Sequence, residues 1–160
     1  MLELYIDFDG VILDTIGLLY GAAEDAGTSN NDREFFSRFD FNKILKDEYI
    51  IEDSIGCIER LIKSGKFNIS ILTHINSLDE GIKKTLYLRR FFSDITIILV
   101  PKEISKTKMV HTMGSILVDD YAGNLREWES EGGISIRFNT ENEDKGFKTI
   151  GRLDELLELF

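Results

Sequence analysis

The chain has few of the residues that staple or interrupt a fold: one cysteine and one proline in 160 residues. Cys57 has no partner for an internal disulfide, which excludes a disulfide-stapled secreted scaffold and points to a reducing cytoplasm. A single proline among thirteen glycines also excludes a low-complexity chain, and no internal repeat is present. No apolar run approaches the roughly 20 residues of a membrane span. Basic side chains are outnumbered 19 to 29, and the net charge of −10 argues against a nucleic acid polymer or an anionic membrane as partner. The amino terminus opens on a strand pattern with acidic residues, unlike a targeting leader.

At 42% hydrophobic, residues 1–160 can bury the core of one domain. Strands are expected at 2–8, 67–72, 95–100, 115–118 and 134–138, each an apolar run closed by a polar or breaking residue. Helical spacing lies between them. Ile16, Leu19, Tyr20 and Ala23 mark one helix, and Ile55, Ile58, Leu61 and Ile62 another that stops at Ser64-Gly65. Ser77 and Glu80 fit a capping box opening a helix to about Phe91. Ser105 starts a short helix, Leu125 and Trp128 lie on a longer one, and 153–160 forms the last. Cys57 reads as a small buried residue, and Trp128 as a ring packed on the sheet. This alternation predicts an α/β fold: a three-layer α/β/α sandwich around a mostly parallel, Rossmann-like sheet. Residues 15–50 interrupt it as a small helical insertion rich in aromatics, in which Phe35, Phe36, Phe39 and Phe41 form a local core.

The chemistry gathers at strand ends. Leu4-Tyr5-Ile6 runs into Asp7-Phe8-Asp9-Gly10, and two carboxylates two residues apart repel unless a cation or proton lies between them. Gly10 removes a side chain where the backbone turns and a ligand approaches. Thr73, then Lys102, Lys106 and Lys108, then Asp119-Asp120 follow later strands. Parallel sheets bind ligands outside the carboxyl ends of their strands, so four strand tips deliver polar groups to one edge. An all-oxygen donor set suits a hard ion such as Mg2+, which usually keeps several waters and adds substrate phosphate. A threonine can grip a phosphoryl oxygen, a lysine can offset developing charge, and an aspartate can attack phosphorus.

The order DFDGV, Thr73, a lysine, then Asp119-Asp120 with Asn124 resembles the four motifs of the haloacid dehalogenase-like (HAD) superfamily of phosphatases, from Asp7 to about Trp128. The stretch from Leu117 to Trp128 is further similar to the branch containing 5'(3')-deoxyribonucleotidases. The resemblance implies Asp7 as nucleophile and Asp9 as general acid/base. Mg2+ would be held by Asp7, the Asp9 carbonyl and Asp119, with Asp120 in support. Thr73 would grip the phosphoryl group, and Lys106, at a helix start, is preferred over Lys108 and Lys102 as the motif lysine. Gly10, His74 and Asn124 complete the expected site; His74 lies beside the phosphate grip, whereas His111 reads as structural or exposed. Residues 15–50 take the place of this superfamily's cap, here short enough to leave the site open.

The expected function is therefore Mg2+-dependent phosphomonoester hydrolysis through an aspartyl-phosphate, with a nucleoside monophosphate as the leading small-molecule substrate. A sugar-phosphate or phosphoglycolate-type phosphatase is the rival on the same scaffold. A non-catalytic regulatory or binding protein of this fold is the rival of another class. A receiver-like signalling domain would place its phosphorylated aspartate at a later strand tip, before the threonine, so the order disfavours it. A homo-oligomer is left open.

Overall fold

The computed structural model describes residues 1–141 and 143–160. Six strands form one parallel sheet: β1 (Leu2–Ile6), β2 (Phe67–Ile75), β3 (Thr96–Pro101), β4 (Ile116–Asp119), β5 (Ile134–Phe138) and β6 (Lys148–Ile150), in the spatial order β3-β2-β1-β4-β5-β6. β1 lies between β2 and β4, with Ile6 in register with Ile71 and Val118. Strand alternation sorts β1 between two cores. Leu4 and Ile6 face one core, which includes Ile58 and Leu61 of α3 (Ser54–Ser64), Tyr87 and Leu88 of α4 (Leu78–Arg89), and Leu156 of α6 (Leu156–Leu159). Tyr5 faces the other, with Leu125 and Trp128 of α5 (Ala122–Ser130). Helices thus cover both faces, the three-layer α/β sandwich expected from the alternation. Trp128 packs edge-on against Tyr5 with ring centroids 5.5 Å apart and donates its indole N–H to the Ser115 carbonyl at 3.1 Å. Cys57 is buried in the first core.

Residues 15–50 hold α1 (Ile16–Asp25), α2 (Arg33–Arg38) and two 3-10 turns at Phe41–Lys43 and Asp47–Tyr49. The phenylalanines stack on one another, Phe35 on Phe36 at 5.0 Å and Phe39 on Phe41 at 5.2 Å. Phe41, Ile44 and Leu45 continue into the main core, so the insertion is anchored on the body. Polar ties join it to α4: Lys83 with Asp40, and Arg90 and the Tyr87 hydroxyl with Asp47. Arg33 pairs with Glu103 beyond β3.

Three expectations need correction. β1 ends at Ile6 rather than residue 8, because Asp7 onward folds into a tight loop in which the Phe8 carbonyl accepts from the N–H groups of Val11, Ile12 and Leu13. β2 runs on to Ile75, so Thr73 lies within it. β6 was not foreseen: three residues carry too little alternation to show, and pairing with β5 makes the strand. Among the described residues no helix is long and apolar enough to cross a membrane.

Candidate active site

At the carboxyl edge of the sheet, the β1 loop, β2, the turn after β3 and the tip of β4 bring their polar groups together. Asp7 follows β1 directly, and its N–H donates to the Val118 carbonyl at 2.9 Å, which fixes its backbone against β4. Carboxylate oxygens of Asp7, Asp119 and Asp120 all lie within 4.8 Å of one another. Gly10 makes that packing feasible. Its φ of +78° suits glycine, and a Cβ there would stand 2.2 Å from Asp120 Oδ2.

Lys106 is the cation of this group. Its Nζ donates to Asp7 Oδ1 and Asp119 Oδ2, each at 2.7 Å, from a nearly fully buried position. The helix expected from Ser105 to Val110 shrinks to a 3-10 turn, Lys106–Lys108, which Ser105 caps. That one turn aims Lys106 inward, while Lys102 and Lys108 are exposed. Asn124, one turn into α5, donates to Asp119 Oδ2 at 2.9 Å, and the Tyr121 N–H donates to Asp119 Oδ1 at 2.9 Å. Burial pushes the Asp7 carboxyl up to about 7; Asp119 adds to the rise and Lys106 opposes it. Asp120 is raised to about 8, by burial first and then by Asp7 and Asp119. Burial acts against the charge on Lys106, but Asp119 and Asp7 more than compensate and hold the ammonium on.

Asp9 takes different partners from Asp7. Its Oδ1 accepts from the Thr15 hydroxyl at 2.7 Å and its Oδ2 from Lys84 Nζ at 2.7 Å. Burial pushes its pKa up, but Lys84 and then Thr15 overcome this, so Asp9 lies below the usual carboxylate range. Thr73, fully buried, accepts from Lys84 at 3.1 Å. His74 is half-buried with Nε2 2.8 Å from the Ile104 carbonyl, and burial lowers its pKa. That contact ties β2 to the turn after β3.

Lys84, Glu80 and Thr15 escaped the sequence reading. Thr15 stands at the N-cap position of α1 but makes no cap bond, and its hydroxyl donates to Asp9 instead. Glu80 makes only half of a capping box: its N–H donates to Ser77 Oγ at 3.1 Å, while its carboxylate accepts from the Asn76 N–H and pairs with Lys84. Lys84 stands at helical spacing from Gly81 and Leu88 on the buried face of α4, and that spacing was the available signal. Leu78, Ile82 and Leu86 obscured it by forming a second apolar stripe, which is exposed.

The oxygen-only donors of Asp7, Asp119 and Asp120 fit a hard divalent cation, and one lysine leaves three carboxylates incompletely neutralised. A cleft of about 220 Å³ opens beside them, lined by Gly10, Asp14, Asp120, Asn139 and Thr140 among others. A larger cleft, about 500 Å³, lies at the opposite end of the sheet around Phe67, Phe91 and Phe92. The smaller one adjoins the chemistry.

No protein-family model matches the sequence, and no curated protein does. Solved structures do match in fold. A HAD phosphatase from Thermococcus onnurineus superposes with a TM-score of 0.61 at 15% identity, covering 99% of this chain and 97% of that one. The magnesium-bound HAD-hydrolase YfnB from Bacillus subtilis gives 0.64 at 14% identity, with 98% and 97% covered. A 2-haloacid dehalogenase from Pseudomonas syringae pv. Tomato gives 0.58 at 16% identity, with 99% and 97% covered. Over nearly its whole length, this chain has the fold of HAD-superfamily hydrolases.

Proposed function

We propose that the protein is a Mg2+-dependent phosphomonoester hydrolase. The observation that carries this reading is the convergence of Asp7, Asp119 and Asp120 within 4.8 Å around one buried lysine. Such a cluster is costly unless a cation completes its charge balance, and a bound cation then offers a phosphoryl dianion its counter-charge. Asp7, the Asp9 carbonyl and Asp119 would hold Mg2+, with Asp120 in support, and the ion would neutralise charge on the phosphoryl oxygens.

In this reading Lys106 fixes one oxygen of Asp7 and the other attacks phosphorus. The Asp7 O–P bond forms, the bond to the leaving oxygen breaks, and that oxygen takes a proton through Asp9, which Lys84 and Thr15 hold ionised at rest and which therefore first takes the proton from water. Water then attacks the aspartyl-phosphate, Asp9 accepts its proton, and inorganic phosphate leaves with Asp7 restored. The Thr73 hydroxyl steadies a phosphoryl oxygen. The structural neighbours support the same chemistry in part: a D,D-heptose 1,7-bisphosphate phosphatase from B. bronchiseptica, complexed with magnesium and phosphate, has a TM-score of 0.55 at 15% identity. Displacing halide from a haloacid is the weaker alternative, since three clustered carboxylates repel a carboxylate substrate and a halide leaving group needs no proton.

Nucleoside monophosphates, deoxyribonucleotides among them, remain the first substrate class to test. Within the insertion the most open ring is Tyr20, which is half exposed, because Phe36 and Phe41 are buried and Phe35 and Phe39 are partly covered. Stacking on it would favour nucleotides by roughly 1–3 kcal/mol. A panel of nucleotides, sugar phosphates and phosphoglycolate, with Mg2+ and with chelator, tests both levels. Mg2+-dependent phosphate release is expected, fastest from nucleotides. A sugar phosphate or phosphoglycolate as best substrate would overturn the nucleotide assignment, and no release from any monoester would overturn the hydrolase reading.

A further inference from the structure

We propose that Lys84 is a positioning residue that locks Asp9 and Thr73 into a single working geometry. The inference rests on the phosphomonoesterase reading. Its basis is the lysine's environment. The side chain is fully buried, and Nζ has four polar neighbours: Asp9 Oδ2 at 2.7 Å, Glu80 Oε2 at 2.6 Å, Thr73 Oγ1 at 3.1 Å and the His74 carbonyl at 3.1 Å. The Phe8 ring centroid is 5.2 Å from the ammonium. Glu80 alone would pair the charge. The contacts with Asp9 and Thr73 add something a structural pair does not need, a link between the β1 loop and β2.

The anchoring extends outward. Glu80 is held from its other oxygen by the Asn76 N–H at 2.7 Å and side-chain amide at 3.0 Å, so the lysine's own support is fixed to the end of β2. Gly81 sets the depth of the helix: a Cβ there would stand 2.7 Å from Leu99 and 3.2 Å from Ile75. A bulkier residue would lift α4 from the sheet and draw Nζ away. Thr15 completes the grip on Asp9 from the opposite side, donating to Oδ1 at 2.7 Å. Asp9 is thereby restrained at both oxygens by groups from two different helices. A reacting side chain displaced by about 1 Å can lose on the order of a hundredfold in rate, which is what such restraint prevents.

The test compares wild type, Lys84→Met and the double variant Glu80→Gln/Lys84→Met by kcat and KM on p-nitrophenyl phosphate with Mg2+, and by melting temperature. Lys84→Met leaves Glu80 buried without its cation, so it should lower both kcat and Tm. The double variant removes both charges of the buried pair, and Tm should return most of the way to wild type, since buried ion pairs are replaceable by neutral groups. If Lys84 positions Asp9, kcat stays down by about 10- to 100-fold in the double variant while KM moves by no more than about threefold. Recovery of kcat together with Tm, or a kcat within about twofold of wild type in Lys84→Met, would overturn the proposal and leave Lys84 a structural residue. If Lys84→Met does not fold, Glu80→Gln alone is read in the same way, with a severalfold loss of kcat expected and an unchanged kcat overturning the proposal. A wild type that hydrolyses no monoester overturns the phosphomonoesterase reading and this inference with it; wild-type turnover with an unaffected variant overturns the inference alone.

Discussion

Lys106 and Lys84 are both buried, and each touches two carboxylates, yet the two groups around them behave differently. Beside Lys106, Asp120 crowds the two carboxylates that the ammonium touches, and burial with mutual repulsion drives Asp7 to about 7 and Asp120 to about 8. Around Lys84, Asp9 and Glu80 are met by a network of donors from Thr15, Asn76 and the lysine itself, and Asp9 is held below the usual carboxylate range. The first group is short of positive charge. The second is satisfied. A cluster short of positive charge has something to gain from a cation, while the network around Lys84 is satisfied and holds Asp9 and Thr73 still. The difference separates a site poised to bind from a network that fixes the geometry of the groups serving it.

The sharpest way to break this comparison is to remove the nucleophile from the unsatisfied cluster. Asp7→Asn keeps the shape of the side chain but cannot attack phosphorus, so turnover should fall to no more than about 1% of wild type. Without metal, its melting temperature should hold or rise, because one of three mutually repelling carboxylates is gone. More than a few per cent residual activity in a phosphate-release assay would remove Asp7 from the nucleophile's place.

Lys106→Met comes next. It removes the one cation that, among the described residues, touches Asp7 and Asp119, so kcat should drop by about a hundredfold, the size seen when one electrostatic stabiliser is deleted. Lys102→Ala and Lys108→Ala, both at exposed positions, should remain within about twofold, since exposed charges contribute little. Parallel kinetics on the three variants check the assignment, and a damaging Lys108→Ala would show that the turn after β3 presents a different lysine in solution.

Metal linkage is the third probe. Mg2+ at a hundred times its dissociation constant should stabilise the folded protein by about 2.7 kcal/mol, provided the unfolded chain does not bind it. For a chain of this size that is a rise in Tm of roughly 5–10 °C. Asp119→Ala should lose most of the rise and Glu80→Gln should keep it, although both positions are buried acids next to a lysine. Thermal melts with and without Mg2+ read this directly, and an equal rise in both variants would mean the ion binds elsewhere.

The same contrast explains what could be read from the sequence. The places of Asp7 and Asp119 were legible because each closes an apolar run, and a strand tip is a place that periodicity can locate. Lys106 was preferred for its place after Ser105 at a helix start, and the turn there does bring it to both carboxylates. The parallel sheet was legible from the same apolar runs, apart from three-residue β6. Lys84 was not, because its place inside a helix is decided by which face α4 turns to the sheet. Leu78, Ile82 and Leu86 make an apolar stripe that is exposed, and the buried face bears Gly81, Lys84 and Leu88. The buried glycine and the polar network outweighed the aliphatic stripe. Thr15 was hidden similarly: a threonine before a helix reads as a cap, and only the tertiary loop shows its hydroxyl turned to Asp9.

The smallest expected effect concerns Lys83, the neighbour of Lys84 in sequence. Asp79–Lys83 and Glu80–Lys84 are both acid–lysine pairs four residues apart on α4, at 2.8 and 2.6 Å. Spacing and chemistry match, and burial alone differs: the Lys83 side chain is 21% exposed and Asp79 58%, against 0% and 2% for Lys84 and Glu80. Lys83 also reaches Asp40 of the insertion at 3.1 Å, another exposed partner. Water screens such pairs, so Lys83→Met should cost no more than about 1 kcal/mol and shift Tm by only a few degrees. It should leave kcat unchanged, because Lys83 touches neither Asp9 nor Thr73. A loss of kcat comparable to that of Lys84→Met would mean that the Asp40 contact transmits the insertion's position to the site, and the network that fixes the site's geometry would then have to take in the insertion as well.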